Sequence, residues 1–249
     1  ALGRLSEEVL SAGDIGLPIF KEPRPAFVAQ NLVELVDSLE EEADQVYFYF
    51  VVRELAHARL FKQSKWLRDY TVNLISAYAR EISIDNTRII EMSENFDPAE
   101  IGNIQKAFES GALIAPRTPA QEIALERIET VLALIEGWVD CVTQRATIRL
   151  PRSAAIAEIV RRKRSSGGPA EKTFLTLIGL ELRPRKLREA SAMWNAITDS
   201  VGIQKRDAIW NHPDLLPTEA DIADPSALIA KLSNSAPEDD MDAALRDLL

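Results

Sequence analysis

Helix-start signals recur along this sequence, and between them the apolar residues recur at spacings of three and four. At Asp97 and Pro98 a capping residue precedes a proline at the first helical position. Thr118 and Gln121 have the spacing of a capping box, in which each residue satisfies a free backbone amide of the first helical turn. Because a three-and-four spacing places apolar side chains on one face of a helix, these signals predict an all-α, predominantly helical fold.

The predicted helices cover most of the chain. No segment alternates polar and apolar residues as a half-buried strand does, and Glu81–Ile84 is the one candidate for a short strand. We assign residues 1–232 to a single helical domain and residues 233–249 to a linker followed by a short, acidic, amphipathic tail. Helices are predicted at 27–41, 44–62, 65–81, 85–95, 98–109, 118–147, 151–165, 169–180, 184–201, 204–211 and 225–233.

The composition indicates a globular intracellular protein. Hydrophobic residues make up 46% of the 249 residues and charged residues 27%, which is ordinary for a folded domain. The one cysteine, Cys141, cannot form an internal disulfide and is predicted to be a small buried helix residue, so we expect a reducing, cytoplasmic location. No apolar run approaches the ~20 residues that span a bilayer, so we expect no membrane association. The chain begins with Ala1 rather than Met, and we expect an upstream portion of a longer protein to be absent.

The net charge of −10 is unevenly distributed, because residues 145–188 carry 12 basic and three acidic side chains between two acidic segments. Such a segment can bind an anionic partner or pair with the acidic segments of its own fold. The absence of interleaved aromatic residues and of a nucleic-acid motif favours pairing within the fold, and we expect no nucleic-acid partner. Within this segment, the run Arg161–Arg164 is predicted to form a solvated last helical turn whose charge complements the helix dipole.

The predicted helix Asp44–Lys62 carries ionisable residues on a largely apolar face. Glu54 borders this face, and the aromatic run Tyr47–Phe50 is interpreted as core packing. Because buried ionisable groups are costly unless they are paired, a polar site is predicted here. At ~100° per residue, a sector about 100° wide contains Val46, Phe50, Arg53, His57, Leu60 and Phe61.

The segment Arg53–His57 reads R-E-L-A-H, which is an H-E-x-x-H zinc motif with arginine at the first ligand position. In the intact motif both histidines bind zinc and the glutamate activates a zinc-bound water. Glu136 and Asp140, on a later helix, have the spacing of a third zinc ligand and of an acidic residue that orients a histidine ligand. They can also belong to a solvated face with Glu122, Glu126 and Glu129, but the first helix favours a paired polar site.

Seven short motifs together resemble the zincin-like metallopeptidase "putative hydrolase" family, whose relatives include proteins associated with deazaflavin-coenzyme biosynthesis. The resemblance runs from about residue 1 to residue 224 and implies a zincin-like helical domain. The motifs are R-E-L-A-H-A-R-L-F, K-W-L-R, T-P-A-Q, L-I-E-G-W-V-D, G-G-P-A-E-K-T-F, G-L-E-L-R-P-R-K-L-R-E-A and W-N-H-P-D-L-L-P-T.

The resemblance implies that Glu54 is the general base, His57 a zinc ligand and Glu136 the third ligand. Arg53 departs from the family motif, and the other histidine, His212, precedes a proline where helix capping or packing is the usual role. Zinc sites use at least three protein ligands, so we expect no metal and no cofactor, with His57 and Glu136 as the fallback ligands if zinc does bind.

The charge of Arg53 leads to a more specific hypothesis. Its guanidinium would lie where zinc's charge lies in an intact site, and it would neutralise Glu136 through charge-assisted hydrogen bonds. We therefore predict a structural ion-pair network of Arg53, His57, Glu136 and Asp140 that holds two helices in register.

Three functions follow from these observations. The first is a non-catalytic or impaired zincin relative that acts as a scaffold or interaction protein, with the tail 233–249 as a candidate ligand for a protein partner. The second is a metal-dependent, peptidase-like hydrolase that uses Glu54 as general base. The third, nucleic-acid binding through residues 145–188, has little support because its flanks are acidic. The sequence specifies neither the substrate nor the oligomeric state.

Overall fold

The computed structural model describes residues 9–14, 16–17, 20–39, 42–83, 115–166 and 186–234. In these ranges the regular structure is helical, and the β-type pairing is an isolated antiparallel bridge between Ser11 and Phe27, which confirms the all-α prediction. None of the described helices combines the length and the apolar character needed to cross a bilayer. The α-helices are α1 (Ala29–Asp37), α2 (Ala43–Gln63), α3 (Lys65–Arg80), α4 (Pro119–Ala146), α5 (Ser153–Ser166), α6 (Leu187–Ala208), α7 (Glu219–Ala223) and α8 (Ser226–Asn234), and two short 3-10 turns, Ile209–Asn211 and Pro213–Leu215, follow α6.

The structure tests several of the predicted element boundaries. The break predicted between the helices at 184–201 and 204–211 is present, because Gly202 in α6 has a non-helical φ of 84° and ψ of 170°. Helix α6 therefore consists of two helical segments that meet at a kink, and the second segment ends at Ala208. The prediction missed α7, which opens with a capping box between Thr218 and Asp221. The described part of the candidate strand Glu81–Ile84, residues 81–83, is a turn followed by chain without regular structure. The helices predicted at 85–95, 98–109 and 169–180, and the tail from residue 235 onward, lie outside the described residues.

Helix α4 is central, and α2, α3 and α6 pack around it. Its apolar side chains form the main core with those of α2 and α6, and three tryptophans close one end of this core. Trp194 stacks on Trp210 at 5.5 Å between ring centroids, and Trp138 meets Trp210 edge-on at 6.4 Å. A second core joins α1, α2 and α5 around Val46 and Ile156. Because α2 contributes to both cores, its position against α4 and α5 is fixed from two sides.

Helices α4 and α6 are in close contact at Gly137. A Cβ added to Gly137 would lie 2.7 Å from the Ala190 Cβ and 2.8 Å from the Ser191 backbone nitrogen. Real Cβ atoms do not come so close, so glycine is what lets the two helices approach here. The contact positions Ser191 beside Asp140 of α4, to which it donates a hydrogen bond.

We expect Gly137→Ala to lower the free energy of unfolding by about 1–3 kcal/mol, because the added methyl overfills a tight contact. This is opposite to the usual effect, since alanine in a helix interior is about 0.5–1 kcal/mol better than glycine. Urea denaturation measures the change. In the double variant that combines Gly137→Ala with Ala190→Gly, the loss should be smaller than the sum of the two single losses, because the two methyl groups would otherwise collide. Strictly additive losses would contradict this explanation.

Candidate functional site

Glu136 of α4 lies at the centre of a buried ionic cluster. Its side chain is fully buried, and each carboxylate oxygen accepts a hydrogen bond from a different arginine. Arg53 of α2 donates from Nη2 to Oε2, and Arg164 of α5 donates from Nη2 to Oε1 at 3.0 Å. Both arginines are themselves buried. One carboxylate therefore joins three helices, with two guanidinium charges against its single negative charge.

The cluster is ionised at neutral pH. Burial alone would raise the pKa of Glu136, but the guanidinium groups of Arg164 and Arg53 outweigh this effect and hold the pKa below its usual value. Burial alone would lower the pKa of Arg53, and Glu136 outweighs that effect, so the pKa of Arg53 is raised. Each charge is thus stabilised in the interior by the opposite charge beside it.

His57 lies one turn after Arg53 on α2 and is buried. Its ring packs against Phe61 at 4.9 Å between centroids, and its Nε2 atom has no hydrogen-bond partner within the described part of the chain. Burial lowers the pKa of His57 to about 4; Glu136 opposes this shift, whereas the positive charges of Arg53 and Arg164 add to it. The imidazole is therefore neutral at pH 7.

Glu54 is bound by main-chain amides that precede α1. The Gly13 amide donates to its Oε2 at 3.0 Å, and the Ala26 amide donates to its Oε1 at 3.2 Å. A Cβ on Gly13 would lie 2.7 Å from the His57 Cγ, and a Cβ on Gly16, where φ is 71°, would lie 2.9 Å from the Glu136 Oε1. The backbone at Gly13 and Gly16 therefore lies directly against all three residues that a zincin site would use.

Asp140 lies one turn beyond Glu136 on α4 and hydrogen-bonds a different set of side chains. Its Oδ2 accepts from Ser191 and Gln144 at 2.6 Å each, and Arg161 of α5 lies at 3.5 Å. Burial raises the pKa of the neighbouring Tyr49 to about 12, so its hydroxyl stays protonated. The structure thus brings Arg53, His57 and Glu136 together and places Asp140 in a second cluster beside them.

The prediction that Arg161–Arg164 is a solvated helical turn is wrong for its two end residues. Arg164 is only 8% exposed, and Arg161 and Arg164 pair with Asp140 and Glu136 respectively. Arg162 is exposed, as predicted. Periodicity could have revealed the burial of these two arginines, though not their partners, because both continue the buried face of α5 that carries Val160. These ion pairs do agree with the expected pairing of the basic segment within its own fold.

Three other predictions concern single residues. Cys141 is fully buried, as predicted. His212 caps the 3-10 turn that follows it, since its Nδ1 accepts the Asp214 amide at 3.2 Å. The interpretation of Tyr47–Phe50 as core residues is wrong for Phe48, whose side chain points to solvent with 52% of its area exposed.

The residues at this site do not fit a zinc ion. Arg53 takes the first ligand position, both oxygens of Glu136 are bound by guanidinium groups, and both oxygens of Glu54 are bound by backbone amides. Among the described residues, no three or more histidine, cysteine, aspartate or glutamate side chains are grouped closely enough to hold a metal ion. A zinc site would need at least three such ligands.

The structure is thus a helical domain in which Arg53 and His57 of α2 lie beside Glu136 of α4. The chain belongs to the zincin-like metallopeptidase family, whose family model matches residues 1–229.

The fold is also similar to a crystal structure described as "a putative hydrolase with a novel fold" from Chloroflexus aurantiacus, with a TM-score of 0.67 and 22% sequence identity. The match covers 94% of this chain and 67% of that one, and at this identity it concerns the fold alone. No curated protein matches the chain in sequence.

Proposed function

We propose that this protein is a zincin-like family member whose metal position is filled by Arg53, and that it acts as a non-catalytic scaffold or interaction protein. The observation that carries the proposal is the buried cluster of Arg53, Glu136 and Arg164. In an intact zincin site, the same carboxylate position would ligate zinc through oxygens that here accept guanidinium hydrogen bonds.

Two guanidinium groups replace the metal electrostatically. Zinc carries two positive charges, and Arg53 with Arg164 supplies the same formal charge to Glu136. Arginine suits this role because its planar, always charged group directs several hydrogen bonds at carboxylates. The result is a fixed tie between α2, α4 and α5, in place of a ligand shell with an open position for substrate.

The hydrogen bonding of Glu54 supports the same proposal. A general base must reach a substrate or water proton at hydrogen-bond distance. Here the two oxygens of Glu54 accept the Gly13 and Ala26 amides, and Gly13 lies too close to His57 to leave room even for a Cβ. Glu54 thus acts as an anchor for the segment before α1. The alternative, a metal-dependent hydrolase with Glu54 as general base, would require this backbone to move away.

Metal content measured together with thermal stability tests the proposal. We expect purified protein to contain far less than one zinc per chain by elemental analysis, and its Tm to be unchanged by added zinc or by a chelator. A ligand that binds the folded state at 100-fold above its Kd stabilises it by about 2.7 kcal/mol, so binding would be visible. Stoichiometric zinc, with a Tm that falls in chelator, would overturn the proposal and favour the hydrolase.

We expect Arg53→His to gain zinc binding, because the introduced imidazole would complete a set of three ligands with His57 and Glu136. The measured quantity is the zinc-dependent rise in Tm, with a matched Arg53→Gln variant as the control that removes the charge without adding a ligand. Because Arg164 still occupies Glu136 Oε1, adding Arg164→Met should tighten zinc binding further. If neither histidine variant binds zinc, Arg53 does not lie at the metal position.

A further inference from the structure

Helix α2 carries an exposed apolar stripe on the side opposite the ionic cluster. Phe48, Val51 and Leu55 are 52%, 41% and 50% exposed, although the rest of the helix is largely buried. Their spacing of three and four places them in one line along the helix. Single exposed apolar residues are common, but a contiguous apolar line is typical of an interaction surface.

Charged residues of opposite sign lie at the two ends of this apolar line. Asp44 precedes Phe48 by four residues and Arg59 follows Leu55 by four, and both are exposed. At ~100° per residue, all five residues lie within a sector of about 80°. We call Asp44, Phe48, Val51, Leu55 and Arg59 the outer stripe.

The outer stripe is complementary to itself when two copies run antiparallel. With a twofold axis between Val51 and Val52, Phe48 faces Leu55 of the second copy and Val51 lies at the axis. In the same register Asp44 faces Arg59 of the second copy, and symmetry repeats both contacts. A parallel arrangement would place like charges together at both ends.

We propose that the outer stripe is the interface of a homodimer in which the α2 helices of two copies pack antiparallel. The positions of the charges indicate a second copy of this chain as the binding partner. The outer stripe alone supplies both the apolar centre and the oppositely charged ends that such an interface needs. One helix pair buries less than the ~800 Å² per partner of a standard interface, so the dimer is weak and reversible. Because Arg53 and His57 lie on the opposite face of α2, dimer formation leaves the buried cluster intact.

Sedimentation across protein concentrations from about 1 µM to about 500 µM tests this, because a weak interface has a Kd in this range. We expect a monomer–dimer equilibrium in the unmodified chain. Phe48→Ser and Leu55→Ser should each raise the dimer Kd by about tenfold or more, since each side chain is buried twice in the interface. Ile203→Ser, at an equally exposed apolar residue of α6, is the matched control and should leave the Kd unchanged.

Charge exchange tests the antiparallel register. Asp44→Arg and Arg59→Asp should each weaken the dimer, because each places like charges opposite one another. The double variant, with both substitutions, should restore the Kd because the pair is re-formed with reversed signs. Single variants that weaken the dimer without rescue in the double variant would overturn this register.

Two results would overturn the interface itself. One is a monomer at every concentration, which would assign the outer stripe to another segment of the chain or to a different partner. The other is a dimer that persists in the Phe48→Ser and Leu55→Ser variants. Far-UV circular dichroism of each variant, together with an unchanged Tm of the monomer, separates loss of association from loss of folding.

Discussion

Glu136→Gln is expected to lower the free energy of unfolding by about 3–5 kcal/mol, which is typical when one partner of a buried ion pair is removed. The substitution keeps the size of the side chain but removes the negative charge that both Arg53 and Arg164 contact. One of the two guanidinium groups would also face the amide NH₂, which cannot accept its hydrogen bond. Urea denaturation at pH 7, followed by tryptophan fluorescence, measures the loss.

Glu126→Gln is the matched control, because it makes the same chemical change on an exposed position of the same helix. There the loss should stay below about 0.5 kcal/mol, as for most surface substitutions. Equal, small losses in both variants would mean that solvent screens the Glu136 cluster, and it would then contribute little to holding α2, α4 and α5 together.

The helical fold could be predicted from the sequence because its signals are local. The capping box at Thr118 and Gln121 is present in the structure with both of its hydrogen bonds, and α4 begins at the next residue. A helical wheel was enough to place Arg53 and His57 on one buried face of α2. Glu136 was chosen as the partner from the spacing of a zincin third ligand, together with the need of a buried arginine for an acidic partner.

The sequence could not predict that α5 supplies a second arginine to Glu136, because this contact depends on how the helices cross. Arg164 reaches Glu136 only because α5 packs against both α2 and α4. The spacing of residues within α5 gives no information about the angle at which α5 crosses α2 and α4. A basic run at a helix C-terminus is also equally well explained by the helix dipole. The ionic cluster therefore has one more arginine than the sequence predicted.

The role of Glu54 was hidden for a different reason. Its hydrogen bonds come from the main-chain amides of Gly13 and Ala26, and backbone donors leave no side-chain pattern in a sequence. The glycines are the one trace of this contact, since Gly13 and Gly16 leave no room for a Cβ against His57 and Glu136. Close approach of this kind is a reason for glycine that only the structure reveals.

Phe48 shows where hydrophobicity and position on the helix diverge. Its aromatic neighbours Tyr49 and Phe50 are buried, and by residue type alone all three belong in the core. On the helical wheel, however, Phe48 falls with the exposed Asp44 and Arg59, so periodicity assigns it to the outer face. Position on the wheel was therefore the better predictor, and it is also what defines the outer stripe.

Protein stability is expected to fall as the pH is lowered from 7.5 to 5, with about 2 kcal/mol of the loss due to His57. Burial lowers the pKa of His57 to about 4 in the folded protein, against 6.5 for an ordinary histidine. Below pH 6.5 the unfolded chain therefore binds a proton that the folded chain excludes, which favours unfolding. The contribution of His57 is fully present above pH 6.5 and is lost progressively until the pH reaches about 4.

Burial is the largest cause of the low pKa of His57; Glu136 opposes this shift, and the positive charges of Arg53 and Arg164 add to it. Urea denaturation at several pH values, in the presence of a chelator, measures the slope. His57→Gln should remove most of the slope between pH 7.5 and 5, whereas His212→Gln, at an exposed capping position, should retain it because His57 is still present. A slope that is unchanged in His57→Gln would show that His57 takes up its proton equally well in the folded and unfolded chains, and that neither its burial nor the two arginines lower its pKa.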